Sequence, residues 1–122
     1  MDTPPVEIRL RKGSRVLSLE FEDGSRFDLP FEYLRVHSPS AEVRGHSAAQ
    51  EVLQTGKESV QVTHVEPIGH YAVRLHFDDG HDTGLYTWKY LYDLGRDQEQ
   101  NWQSYLARLA AAGHSRGSGD SR

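Results

Sequence analysis

Seven histidines stand in a chain of 122 residues that holds no cysteine, so the first chemistry to weigh is metal binding through imidazole and carboxylate. Without thiols there is no disulfide, no thiolate-held zinc or iron–sulfur cluster and no cysteine nucleophile. His64, His70 and His76 are evenly spaced, but Pro67 to Gly69 interrupts them. No shared face follows from the spacing, and they read as polar positions on a solvated sheet face. The His-Glu-x-x-His pattern of zinc proteases does not occur. His81 differs, because it follows Asp79-Gly80 and neighbours Asp78 and Asp82. A facial set of imidazoles and carboxylate needs a second histidine, and His37 supplies it if the intervening loop folds back. His37, His81 and Asp79 are therefore weak candidates for iron or another divalent metal, while no strong metal site and no resident cofactor is expected.

Other chemistry finds less support. Ser38, Ser40 and Ser47 offer hydroxyls near histidines, yet the Gly-x-Ser-x-Gly elbow of serine hydrolases is missing. The 11 glycines are scattered and form no phosphate-cradling loop. Tyr86, Trp88, Tyr90 and Tyr92 alternate as a stacking platform would, but a helix through them scatters the rings over several faces, and core packing is the stronger reading.

The elements that must position these residues follow from periodicity. Val6, Ile8 and Leu10, then Leu17, Leu19 and Phe21, alternate with polar residues as a hairpin buried on one face does. Asp23-Gly24 supplies a tight reversal, 26–29 a short returning strand, and Pro30 a first helical residue before Phe31 to Arg35. Residues 36–59 read as a long loop with a helical turn near 48–53. Val60, Val62 and Val65, a turn at Pro67-Ile68-Gly69, and Tyr71, Val73, Leu75 and Phe77 predict a second hairpin. Asp79-Gly80 and a short segment 81–86 lead to a helix capped by Thr87 and stopped by Gly95, then a second helix from Asp97 to about Ala112. The sequence from Leu19 to Gly24 parallels that from Leu75 to Gly80 at an offset of 56, and Tyr33-Leu34 parallels Tyr90-Leu91 at 57. Each half thus reads hairpin, Asp-Gly turn, strand, helix. The predicted fold is α+β, two hairpin-plus-helix units packed as one small domain over 5–112 with a C-terminal helix, and 113–122 a disordered tail.

The net charge of −4 argues against nucleic acid or an anionic membrane as partner. The start, MDTPPVEIRL, lacks the charged and apolar regions of a secretory signal, and a cytoplasmic location is expected.

The segments Phe21-x-Asp-Gly, Leu29-Pro-Phe-Glu-Tyr-Leu-Arg35, His37-Ser-Pro-Ser40 and Asp79-Gly-His-x-x-Gly-x-Tyr-x-Trp-x-Tyr-Leu91 resemble the gamma-butyrobetaine hydroxylase-like N-terminal domain, over about residues 5–95. That domain occurs free-standing in bacteria, ahead of the catalytic domain of iron- and 2-oxoglutarate-dependent hydroxylases, and attached to P-loop iron–sulfur carriers. The resemblance implies a structural zinc held by three cysteines and one histidine, whose positions here are Ser38, Ser40, Val43 and His81. Two hydroxyls and a valine do not replace three thiolates, so tight zinc binding is not expected, and His81 instead bridges the Asp-Gly turn to the Val36-to-Ser40 loop by hydrogen bonds. The resulting expectation is a non-catalytic accessory or protein-interaction module, linked through the resemblance to iron or iron–sulfur metabolism. Its interaction surface is placed at Leu34, Arg35, His37, His81, Tyr86 and Trp88, with a weak metal-binding or small-ligand domain as the alternative. The protein partner and the oligomeric state are not specified by the sequence.

Overall fold

Each alternating stretch folds into a three-stranded antiparallel sheet in the computed structural model, which describes residues 3–44, 52–114 and 116. The first sheet orders β1 (Glu7–Arg11), β2 (Val16–Glu20) and β3 (Arg26–Pro30), and leads into α1 (Phe31–Val36). A four-residue helix, α2 (Ala41–Arg44), follows in the connection between the halves. The second sheet orders β4 (Val62–Ile68), β5 (Ala72–Phe77) and β6 (Leu85–Thr87), and leads into α3 (Trp88–Arg96) and α4 (Gln98–Ala111). The fold is α+β, with one main core shared by both halves. Leu17, Leu19 and Leu29 from the first sheet meet Val62, Val73 and Leu75 from the second, closed by Leu34 of α1 and Leu91 of α3. Removing this apolar surface from water is the main force holding the halves together.

Several local expectations shift for physical reasons. Pro30 is the last residue of β3 and precedes the helix, with ψ at 146°, so Phe31 opens α1. The first hairpin is buried through its central strand, not through β1, since Val6 and Ile8 on the edge side stay 59% and 37% exposed. The three-residue step between Val62 and Val65 breaks strict alternation, and a bulge between Val62 and His64 absorbs it. β4 runs on through Pro67 and Ile68, so the turn falls at Gly69, whose φ of +55° suits glycine. Tyr71 consequently lies in the turn and is exposed. Val52 and Leu53 are not helical, and the rest of the turn expected near 48–53 lies outside the described residues.

Gly95 does not stop α3, which continues to Arg96. A Cβ at Gly95 would meet the Phe27 ring at 2.3 Å; the glycine lets α3 lie directly on β3. Thr87 caps α3 as predicted, its hydroxyl accepting from the Tyr90 N–H at 3.1 Å. Asp97 precedes α4 but its carboxylate turns to Arg96 at 2.9 Å rather than capping. Beyond α4, Gly113 adopts φ +79° and Arg116 doubles back to Glu32. The expected disorder of 113–122 therefore does not describe Arg116, and most of the remaining tail lies outside the described residues.

Candidate functional site

α1 is short, so its last carbonyls need partners from elsewhere. Tyrosines provide them: Tyr86 Oη donates to the Leu34 carbonyl and Tyr90 Oη to the His37 carbonyl, each at 2.6 Å. In return Tyr33 Oη donates to the Leu94 carbonyl near the end of α3, also at 2.6 Å. These bonds hold the Val36-to-Ser40 loop against β6 and α3. Burial pushes the Tyr33 hydroxyl up to about 12 and raises that of Tyr86 further, so both stay protonated donors.

Against this loop sits the Asp79-Gly80-His81 turn. Gly80 takes φ +90°, which lets Asp79 fold back so that its Oδ1 accepts the His81 N–H at 3.1 Å. Asp79 Oδ2 accepts from Arg35 Nε at 2.9 Å and from Lys57 Nζ at 2.7 Å. Burial opposes the charge on Asp79, but Lys57, the His81 N–H and Arg35 outweigh it and lower its pKa to about 2. Arg35 is buried, and its guanidinium lies 6.0 Å from the Phe77 ring centroid, an arrangement in which the ring face supports the cation.

The His81 imidazole is sunk between loop and turn. Its Nε2 is 2.8 Å from Ser38 Oγ, and its Nδ1 is 3.2 Å from Glu42 Oε1 of α2. Ser38 Oγ also accepts the Ser40 N–H, and Ser40 Oγ bonds Thr83 Oγ1 at 2.6 Å. With Nδ1–H donating to Glu42, Nε2 is left to accept the Ser38 proton. Burial, reinforced by the Arg35 charge, lowers the His81 pKa against the opposing pull of Glu42 and Asp79. The neutral ring is thus the favoured form at neutral pH.

Ser38, His81 and Glu42 follow the order of a nucleophile, base and acid chain. Access decides against that chemistry: Ser38 is 0% exposed. A Cβ at Gly84 would meet its Oγ at 2.5 Å, and Pro39 and Tyr86 lie against the same spot. No external carbonyl reaches an oxygen sealed in this way, and the chain of bonds is a structural bridge.

Residues 8–92 match a family model described as gamma-butyrobetaine hydroxylase-like, N-terminal. The chain belongs to that family. The match is to the N-terminal part that names the family. Two proteins with NMR solution structures are similar to it. One is 50% identical, with a TM-score of 0.84 over 100% of this chain and 98% of that one. The other is 51% identical, with a TM-score of 0.79 over 93% and 85%. A crystal structure of a protein with unknown function from Acidithiobacillus ferrooxidans, placed in the DUF971 family, is 49% identical with a TM-score of 0.62 over 75% and 91%. No curated protein matches the chain.

The zinc implied by the hydroxylase-like resemblance does not fit the residues present. Ser38 Oγ is engaged by His81 and the Ser40 N–H, Ser40 Oγ faces Thr83, and Val43 contributes a buried apolar side chain. Nor do the three weak metal candidates converge. His37 turns its Nδ1 to the Tyr33 carbonyl at 3.0 Å and packs between Tyr33 and Tyr105, whereas His81 and Asp79 are engaged as above. Among the described residues no group of three histidines or carboxylates is placed to hold a metal.

The structure places most residues of the interaction surface expected from sequence in the interior. Leu34 and Tyr86 are fully buried, and Arg35, His81 and Trp88 nearly so, with Trp88 Nε1 donating to the His70 carbonyl at 2.7 Å. While Trp88 stands at the other end of β5, Leu34, Arg35, His81 and Tyr86 form the floor of the site. Its exposed rim is made by Glu42, Asp82 and Thr83, with Lys57 half-buried beside them. Glu42 escaped the sequence reading because α2, four residues long, has too little periodicity to announce a helix. The available signal was Ser40 two residues before an acid, a helix-opening pattern, and Ser40 Oγ does accept the Glu42 N–H at 3.1 Å.

Proposed function

We propose that this domain is a non-catalytic accessory module that binds a protein partner through the exposed rim above Arg35 and His81. What carries the reading is that the polar chain ends in the open: Ser38 and His81 are sealed, while the Glu42 side chain at its outer end is 63% exposed. An internal bridge fixes the position of an external carboxylate. Asp82, with a side chain 54% exposed, adds a second acid, so the rim suits a partner presenting lysine or arginine. The buried residues Leu34 and Tyr86, joined by the Tyr86 Oη bond to the Leu34 carbonyl, support the rim from beneath, which lowers the ordering cost of association. The family resemblance directs the search for that partner to iron and iron–sulfur metabolism, and among the described residues no helix is long and apolar enough to cross a membrane.

The test is crosslinking in cells followed by mass spectrometry, comparing Glu42→Arg and Asp82→Arg chains with wild type and with Glu7→Arg on the remote first sheet. Loss of the same crosslinked partner in both rim variants, and its retention in the control, is the expected result. An unchanged partner in the rim variants removes the interface from this face.

A further inference from the structure

On the far side of α1 from His81, a different pair of groups meets. Glu32 stands in the first turn of α1 with only 8% of its surface exposed. A carboxylate buried to that degree needs a cation close by. Arg116, 84 residues away in sequence, supplies it: Nε lies 3.0 and 2.9 Å from the two carboxylate oxygens and Nη2 lies 2.8 Å from Oε1. Its guanidinium carbon is 5.5 Å from the centroid of Trp102 on α4. The seat therefore combines a paired carboxylate with an aromatic wall, the two features that favour a planar guanidinium over an ammonium.

Two further observations separate this seat from an ordinary core contact. Arg116 remains 43% exposed in its side chain, and a cavity of about 280 Å³ stays open beside it, continuing along Gln98 and Glu99. The groove is larger than its occupant and carries a second acid on its edge. Gly113, with φ +79° just past the end of α4, is the backbone turn that brings the tail back to the groove. Arg116 thus stands only five positions past the end of α4.

We propose that the groove between α1 and α4 is a receptor for an arginine side chain, filled in cis by Arg116 and open to an arginine-bearing segment of a partner when the tail is displaced. The proposal is independent of the rim above His81. A short tether gives Arg116 an effective concentration on the order of millimolar, so the intact chain resists weak competitors.

The probe is a synthetic pentapeptide, Gly-Ser-Arg-Gly-Ser, with lysine and citrulline versions as controls. Binding is read from the indole N–H resonance of Trp102 by NMR, with the Trp88 indole as internal reference. The full chain carrying Arg116→Ala should bind the arginine peptide saturably, and wild type several-fold more weakly. The lysine peptide should bind several-fold more weakly than arginine, and the neutral citrulline peptide should leave Trp102 unmoved. Adding Glu32→Gln to Arg116→Ala should abolish binding. If that double variant fails to fold, the arginine and citrulline comparison on Arg116→Ala alone decides. No saturable Trp102 shift in the Arg116→Ala chain, or an equal shift with citrulline, overturns the proposal.

Discussion

Replacing His81 by alanine isolates the bridge between the Asp79-Gly80 turn and the Val36-to-Ser40 loop. The side chain is 4% exposed and makes two polar contacts, to Ser38 Oγ at 2.8 Å and to Glu42 Oε1 at 3.2 Å. Its removal leaves the Ser38 hydroxyl buried with a proton it can no longer donate to the ring, which costs about 1–3 kcal/mol. The Glu42 contact opens to solvent and adds roughly 0–1 kcal/mol. Loss of the ring, whose centroid is 6.1 Å from that of Phe77, leaves space beneath the turn that solvent or neighbours fill only in part. Together these effects predict a loss of about 2–4 kcal/mol. Urea unfolding followed by tryptophan fluorescence measures it, with the m-value unchanged and the exposed His70→Ala as reference. A thermal midpoint lowered by roughly 10 °C or more is the calorimetric equivalent for a domain of this size. A double-mutant cycle with Ser38→Ala should give a coupling of about 1 kcal/mol. A destabilisation below about 0.5 kcal/mol, within the range of ordinary surface substitutions, or strict additivity in the cycle, refutes the bridge.

Three other outcomes follow from the same geometry. Burial and Arg35 depress the His81 pKa, so protons prefer the unfolded chain; the stability from neutral His81 is fully present above its ordinary pKa of about 6.5 and is lost as pH falls through the native value, at no more than about 1.4 kcal/mol per pH unit. Urea midpoints of wild type and His81→Gln compared across this range should show the shallower slope in the variant, and equal slopes count against the assignment. Asp79, held near pKa 2 despite burial by Lys57, the His81 N–H and Arg35, contributes stability above its unfolded pKa of about 3.9 that is lost as pH falls through about 2; Asp79→Asn should flatten acid unfolding there, and an unaltered acid curve contradicts the cluster. Gly95→Ala should destabilise by about 1–3 kcal/mol through collision with Phe27, although alanine in a helix is ordinarily favoured over glycine by about 1 kcal/mol; a raised thermal midpoint would show that α3 does not lie on β3 as described.

What the sequence disclosed followed from period and punctuation. The Asp-Gly reversals and the Thr87 cap each stand where a local physical rule puts them, and the two alternating stretches each form a sheet. The departures occur where a distant contact overrides a local signal. Gly95 carries the local signature of a helix end, but its role is set by Phe27, 68 positions earlier. His37 was paired with His81 on residue type alone, whereas the ring is claimed by the carbonyl of Tyr33 one helical turn behind it. Leu34 and Tyr86 carry motif positions and yet are buried, because a short helix with unpaired carbonyls recruits Tyr86 Oη inward. Glu42 became legible only once α2 existed to aim it. A motif therefore indicated which residues meet, while their burial depended on hydrogen-bond needs that no local window contains.

The internal repeat acquires a physical meaning from two of these contacts. Asp23 and Asp79 occupy equivalent positions 56 residues apart, and Arg35 and Tyr92 are equivalent at 57. In the structure the pairs cross over: Arg35 of the first half donates to Asp79 of the second at 2.9 Å, and Tyr92 of the second donates to Asp23 of the first at 2.7 Å. Each Asp-Gly turn is thus latched by the helix of the other half. The same crossing places Gly95 of α3 on Phe27 of β3 and Tyr33 of α1 on Leu94 of α3. A three-stranded sheet with one short helix buries too little apolar surface to persist alone, and reciprocal latching makes completion of either half depend on the other. The two latches are chemically unequal. At Asp23 the partner is a neutral phenol on an exposed turn, whereas at Asp79 two cations and the backbone N–H of buried His81 converge. The difference between these two positions concentrates charge and buried polarity on the Asp79 latch, which is why the candidate site lies at the second turn and not the first.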